Sequence, residues 1–320
     1  MSWPGWRYLP ASILRTRERA ESTESAEDDH PLGIGRWSDW VSLTKPRVAL
    51  LLLLTAFVAM VLAAEGRPSL ERVALTMLGG YLCAGGAGAI NGYLDRDLDA
   101  QMARTRSRAI PSGRVDPTRV VVFGLLLGLA SGVILWFGAH PTAAVLALLG
   151  FGIYVGVYTL WLKRRSPWNV VIGGLAGAAP PLVGWAAAAG TLSPTAFLLA
   201  AIVFFWTPAH FWTLALMRRE EYAGAGIPML PVARGGRATR RQILIYTALT
   251  VVLTAIPVVG GTMGTVYAVA AAILGGFFLA LAVGMVHKAM GSTDRRFYLF
   301  TLLYLALLFL AMLTDHAVGQ

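Results

Sequence analysis

The chain has 320 residues, of which 56% are hydrophobic and only 14% are charged. Such a balance excludes an ordinary soluble domain and predicts an all-α polytopic membrane protein, a bundle of transmembrane helices with its polar chemistry in the loops. The formal net charge of +10 follows from where the basic residues lie. It is a topology signal rather than a sign of a nucleic-acid partner.

In chain order, residues 1–40 read as a flexible tail and residues 41–320 as the membrane domain. Between Arg15 and His30 the tail mixes charges with Ser and Thr and has no apolar period. It is too acidic for a transit peptide and lacks the apolar core of a signal peptide. Trp3, Trp6, Trp37 and Trp40 suit a membrane surface. Apolar windows of about 20 residues then predict nine spans, near 48–66, 71–92, 118–138, 141–161, 168–189, 194–216, 242–261, 264–286 and 297–314. All but Arg67 and Arg72 of the 27 basic residues fall in the tail or in the loops after spans two, four, six and eight. The positive-inside rule places the N-terminus and those loops in the cytoplasm and the C-terminus outside. Such a basic face also attracts anionic lipid or a diphosphate. Cys83, the sole cysteine, lies within span two, so no intrachain disulfide forms, and a small packing role suits it.

The densest polar signal is Asn91-Gly92-Tyr93-Leu94-Asp95-Arg96-Asp97-Leu98-Asp99, where span two ends. Residues four apart share a helix face, so Asn91, Asp95 and Asp99 project together, with Asp97 turned about 200° from Asp95. Crowded carboxylates at a membrane boundary call for a cation. Mg²⁺ completed by water and substrate phosphate is one answer, and a salt-bridged helix end paired with Arg96 and Arg104 is the other. Arg104, Arg106, Arg108 and Arg114 follow, and Lys163-Arg164-Arg165 and Lys45-Pro46-Arg47 open onto the same side. Guanidinium forks match phosphate oxygens, and topology alone also accounts for these cations. After span six, Glu220 and Glu221 form a second acidic group. Pro208 predicts a kink near the end of that span, which leaves His210 close to the interface beside Trp206, Phe211 and Trp212. Imidazole there is either a hydrogen-bonded structural group or a ligand. None of the ten carboxylates beyond the tail falls in the middle of a span, which counts against an ion-coupled transporter.

Three stretches resemble the intramembrane aromatic prenyltransferase superfamily and, within it, the protohaem IX farnesyltransferase (haem O synthase) branch. They are Leu43-Thr44-Lys45-Pro46-Arg47; Asn91-x3-Asp95-x3-Asp99 followed by Arg104-Thr105-x2-Arg108; and Trp206-x-Pro208-x-His210-Phe211 with Glu221-Tyr222-x2-Ala225-Gly226-Ile227-Pro228-Met229-Leu230-Pro231. The last is the part specific to the haem branch, and the resemblance runs from about Val41 to Asp315. It implies transfer of the farnesyl group of farnesyl diphosphate to a vinyl group of haem B, with water adding a hydroxyl, to give haem O. It also implies Mg²⁺ held by Asn91 (as an oxygen ligand or as a hydrogen-bonding neighbour), Asp95, Asp99 and Glu221. Arg47, Arg104, Arg108, Lys163 and Arg164 would hold the diphosphate, and His210 and Trp206 the haem. A bacterial inner-membrane location and a haem A synthase or terminal oxidase downstream are further implications. The family's second motif is commonly a spaced aspartate pair, so the adjacent Glu220 and Glu221 depart from it. Adjacent helical residues point about 100° apart, and one of the two is expected to reach a shared metal. Glycines in span two (Gly85, Gly86, Gly88) and span five (Gly173, Gly174, Gly177) serve either close helix packing or room for a flat substrate. A prenyltransferase with a quinone-precursor or other tetrapyrrole acceptor, and a non-enzymatic transporter, are the alternatives.

Overall fold

The computed structural model describes residues 33–287 and 292–319. The expected tail up to residue 32 lies outside the described residues. The described chain is all-α, with nine helices long and apolar enough to cross a membrane. A short helix α1 (Trp37–Leu43) leads into α2 (Pro46–Ala63) and α3 (Leu70–Leu94), and a second short helix α4 (Arg96–Gln101) follows. Next come α5 (Pro117–Gly138) and α6 (Pro141–Gly152), the latter running on as a π-helical segment over Ile153–Leu162. Helices α7 (Asn169–Ala189) and α8 (Pro194–Met217) are the fifth and sixth spans, followed by the short α9 (Arg219–Gly224) and α10 (Leu230–Ala233). Helices α11 (Gly235–Val259), α12 (Thr265–His287) and α13 (Ser292–Val318) finish the bundle.

Helix α8 is the axis of the bundle, with 61% of its apolar window buried against 28% for α5, α11 and α12. Trp212 on α8 joins Tyr267, Phe278, Phe297, Tyr304 and Phe309 in the largest core. Outward faces carry Leu125, Leu126, Leu129 and Phe137, as a lipid-facing surface does. Backbones touch at two glycines. A Cβ on Gly184 would sit 1.9 Å from the Ala56 carbonyl oxygen, and one on Gly86 would sit 2.6 Å from that of Gly124. Close packing is therefore what these positions provide.

Two element boundaries differ from expectation. Helix α8 runs as one helix through Pro208, and the Thr207 and Thr213 hydroxyls donate to the Val203 and Ala209 carbonyls nearby. Neighbouring helices and such hydroxyls let a membrane helix carry proline without interruption. Helix α11 begins at Gly235, a full turn and more before the predicted apolar window, because helical residues such as Arg240 carry it out of that window. There Arg240 Nη2 donates to Asp294 Oδ2 at 2.9 Å, a buried pair that ties α11 to α13. Residues 33–40, expected in the tail, pack onto the bundle. Ile34 bridges Val115, and Trp40 packs edge-on against Phe123 at 4.9 Å.

Asp39 fastens this entry helix. Its carboxylate accepts from the Arg36 amide at 3.1 Å and from Arg114 Nε at 3.1 Å. Burial would raise the Asp39 carboxyl, but the Arg114 and Arg36 hydrogen bonds outweigh it and hold the group below its ordinary value of 3.8. A depressed folded pKa means that the contribution is complete above 3.8 and is lost as pH falls through the folded value. Asp39→Asn should therefore loosen residues 33–43 by about 1 kcal/mol, read as faster hydrogen exchange. The unaltered chain should match it only in acid.

Candidate active site

Helix α3 stops at Leu94, and Asp95 leaves helical geometry at φ −94° and ψ 3°. The i to i−4 hydrogen bonds nonetheless continue, from Asp95 N to Asn91 O at 2.9 Å and from Asp99 N to Asp95 O at 2.8 Å. Asn91, Asp95 and Asp99 are consequently all buried, whereas Asp97 turns outward to an Arg164 fork at 2.6 and 2.7 Å. Arg164 lowers the Asp97 carboxyl below its ordinary range, and Asp97 in turn raises Arg164.

Asn91 is the hub. Its Oδ1 accepts from Lys45 Nζ at 2.6 Å, while its Nδ2 donates to Asp95 Oδ2 at 2.7 Å and to Thr159 Oγ1 at 3.2 Å. A cation on one side and acceptors on the other determine which way the amide points. Lys163 Nζ donates to the same Asp95 oxygen, Oδ2. The other oxygen, Asp95 Oδ1, is buried with no hydrogen-bond partner. Asp99 Oδ2 accepts from Arg108 Nη1 at 2.7 Å, and the Asp99 carbonyl accepts from Thr105 Oγ1 at 2.9 Å, which closes the loop.

The wide turn of the π-helical segment feeds this hub. Thr159 Oγ1 donates to the Tyr154 carbonyl at 2.8 Å and Lys163 N to the Tyr158 carbonyl at 2.8 Å, both five residues back. Thr159 and Lys163 thereby face Asn91 and Asp95 together. Gly173 makes room for this turn, since a Cβ there would lie 2.5 Å from the Tyr158 ring. Apart from Thr159 the segment reads as an ordinary apolar helix, so the sequence gives no sign of the wide turn.

Lys45 is the site residue that sequence reasoning passed over in favour of Arg47. Arg47 is exposed, and no hydrogen bond or ion pair joins it to the cluster among the described residues. Lys45 instead takes a left-handed backbone, φ 51° and ψ 55°, which swings its side chain inward ahead of Pro46. Gly88 seats it, since a Cβ there would meet Lys45 Cδ at 3.4 Å. Burial first, then the like charges of Arg108 and Lys163, lower the Lys45 ammonium to about 8.

In the second loop, Glu220 is exposed and Glu221 half-buried. Glu221 accepts from Arg218 Nη1 at 2.8 Å and lies 3.8 Å from Arg104 Nε, so Arg104 links the two loops. Arg96 does not pair with the aspartates. It lies over the Tyr93 ring at 4.3 Å. Among the described residues no three His, Cys, Asp or Glu side chains are gathered as a metal set. The expected quartet of Asn91, Asp95, Asp99 and Glu221 is therefore not assembled around a single point, because each carboxylate is drawn to a basic side chain and the Asn91 oxygen to Lys45.

Trp206 and His210, one turn apart on α8, are both buried. His210 is stacked between Trp206, with ring centroids 4.6 Å apart, and Tyr298, at 4.9 Å. One face of Trp206 is thus taken by His210 rather than open to a flat ligand.

These cations surround buried carboxylates at one end of the bundle and suit a polyanion. A charge-assisted hydrogen bond is worth about 1.5–3 kcal/mol, so Lys45→Met should weaken pyrophosphate binding about tenfold or more. Arg47→Met should leave it within about twofold. Calorimetric titration checks both, and equal losses would return Arg47 to the site.

Residues 52–312 match the model of the UbiA prenyltransferase family. A protein of Roseiflexus sp. (strain RS-1) named "Protoheme IX farnesyltransferase" is 51% identical over 280 residues, covering 88% of this chain and 52% of its own. The chain thus spans about half the length of that relative. A protein of the same name from Symbiobacterium thermophilum is 48% identical, covering 87% of this chain and 93% of its own. The solved UbiA homolog from Archaeoglobus fulgidus, bound to DMAPP and Mg2+, is 17% identical and shares the fold. Its TM-score is 0.64, over 86% of this chain and 99% of that one. With the family model covering most of its length and close relatives at both half and nearly full length, the chain belongs to the UbiA prenyltransferase family.

Proposed function

We propose that this chain is a prenyltransferase that moves the farnesyl group of farnesyl diphosphate onto a vinyl group of haem B to give haem O. The names of its relatives support the reaction. The observation that carries it is the unpartnered, buried Oδ1 of Asp95 inside a ring of cations. A buried carboxylate oxygen is costly without a donor or a cation, so this atom fits a divalent metal. Asp95 would hold Mg²⁺ through this oxygen, with Asn91 as the hydrogen-bonding neighbour that orients it, and Asp99 and Glu221 would join only on giving up Arg108 and Arg218 to the substrate. When bound, the metal neutralises charge that develops on the departing diphosphate.

The remaining work belongs to the chain. Lys163, Arg108 and Arg104 each hold a carboxylate and can exchange it for a phosphate oxygen, so the substrate enters by ion exchange rather than by burying new charge. Lys45 and Arg164 extend the same cationic rim. As the allylic carbon–oxygen bond breaks, its electron pair leaves with the diphosphate, where these donors stabilise it. The vinyl π electrons form the new carbon–carbon bond. Water then bonds to the cationic carbon beside the porphyrin and gives up a proton. The apolar walls keep that water away until the carbon–carbon bond exists. His210 and Trp206 are assigned to the haem side.

All these groups lie where α3, the π-helical segment and α8 end, and the basic residues concentrate in the same loops. That end is cytoplasmic in this proposal, the membrane is the bacterial inner membrane, and haem O passes to a haem A synthase or a terminal oxidase.

Incubation of the membrane-embedded chain with haem B, farnesyl diphosphate and Mg²⁺ should yield a haem heavier by one farnesyl group and one hydroxyl, seen by mass spectrometry. Asp95→Asn and Asp99→Asn should each lower turnover about 100-fold or more, with Asp97→Asn much milder. Full activity in both would leave the aspartates as salt-bridge partners only.

A further inference from the structure

Thr301 on α13 is fully buried and holds both members of the aromatic pair on α8. Its carbonyl accepts from Trp206 Nε1 at 2.9 Å, and its hydroxyl lies 2.7 Å from His210 Nδ1. The same hydroxyl lies 2.5 Å from the Tyr298 carbonyl. A hydroxyl has one proton, and a carbonyl can only accept. The Thr301 proton therefore goes to Tyr298, and the contact with His210 must be Nδ1–H donating to Thr301 Oγ1. The rings of Trp206, Phe211 and Tyr298 that pack on the imidazole are uncharged and offer no counter-ion for a second proton. The lone pair is left on Nε2.

Stacking restricts how that lone pair can be used. Trp206 lies nearly parallel to the imidazole, at 13°, and Tyr298 covers the other face at 22°. Both faces are closed, so the ring cannot turn over without dismantling two stacks and its hydrogen bond to Thr301. A ligand reaches it only at the Nε2 edge, in the ring plane. Metals bind imidazole in that direction, and a second hydrogen bond at the opposite nitrogen is what raises ligand basicity and sets ring orientation.

We propose that Thr301 is a positioning residue of the acceptor site: its hydroxyl fixes His210 as the Nδ1–H tautomer and so presents Nε2 to the iron of a metalloporphyrin. This rests on the haem reading above. It names the residue that makes His210 a ligand, and it assigns Trp206 a clamping role in place of a stacking platform.

The test uses the full chain in detergent, titrated with haemin and, separately, with metal-free protoporphyrin IX. Loss of such a supporting hydrogen bond typically costs 10–100-fold in metal affinity. Thr301→Val, nearly isosteric, should weaken haemin binding by about that factor and alter its absorption bands, with metal-free porphyrin bound as before. Thr301→Ser should restore both. Equal losses for the two porphyrins would make Thr301 a packing residue and overturn the proposal. So would a haemin spectrum in Thr301→Val identical to the parent's while His210→Ala changes it, although haem would then still be the acceptor. A parent chain that binds neither porphyrin would overturn the acceptor reading itself. Nitrogen-15 spectra of the unaltered, ligand-free protein, with the His210 signal identified by His210→Gln, require no folded Thr301 variant. They should show the proton on Nδ1, and a proton on Nε2 refutes the assignment.

Discussion

Burying carboxylates at the end of an apolar bundle is the constraint from which the rest of this architecture follows. Asp95 and Asp99 lie where water is scarce, and an unpaired charge there would be strongly destabilising. Each is matched by a cation from another part of the chain, Lys163 from the end of the fourth span and Arg108 from the loop itself. Asn91 relays a third cation, Lys45, without an ion pair of its own. The helices converge at this end because their termini carry the opposite charges that must meet. Replacing such pairs by apolar groups is often neutral or stabilising. In the proposed function these cations serve a polyanion that competes with the carboxylates for them.

The aromatic centre obeys a different rule. Thr301, Trp206, His210 and the Tyr298 carbonyl are joined by three hydrogen bonds whose donors and acceptors are each fixed by chemistry. Electrostatics alone does not connect it to the charged cluster. The connection is mechanical, because α8 carries His210 inside the bundle and Glu221 lies just beyond its end. Arg104 then reaches Glu221 from the first loop. In the proposed function, diphosphate chemistry and acceptor binding would both hang on this one central helix.

Much of this was legible in residues alone. Nine spans follow from apolar length, and one functional end follows from the distribution of basic residues, because both are bulk properties of a chain in a bilayer. The four-residue spacing of Asn91, Asp95 and Asp99 predicted their common face, even though the helix itself stops at Leu94. The outward turn of Asp97 and the different exposure of Glu220 and Glu221 follow from the same geometry. Features without a one-letter signature were not legible. A left-handed lysine looks like any other lysine, so Arg47 was preferred to Lys45. A π-helical turn made of Ile, Tyr, Val and Leu looks like any apolar helix. Thr301 offered no motif at all.

The π-helical segment also bears on how this chain tolerates changes in length. Its hydrogen bonds span five residues where an α-helix spans four, so the segment holds surplus backbone. A one-residue deletion between Gly152 and Tyr158 can be absorbed by relaxing toward α geometry, with Lys163 kept near its partner. Helix α3 has no such slack, and the same deletion between Gly86 and Asn91 would turn the Asn91 amide by about 100° relative to the glycine contact that anchors the helix. Length variation in this fold should therefore accumulate in the fourth span and be purged from the second.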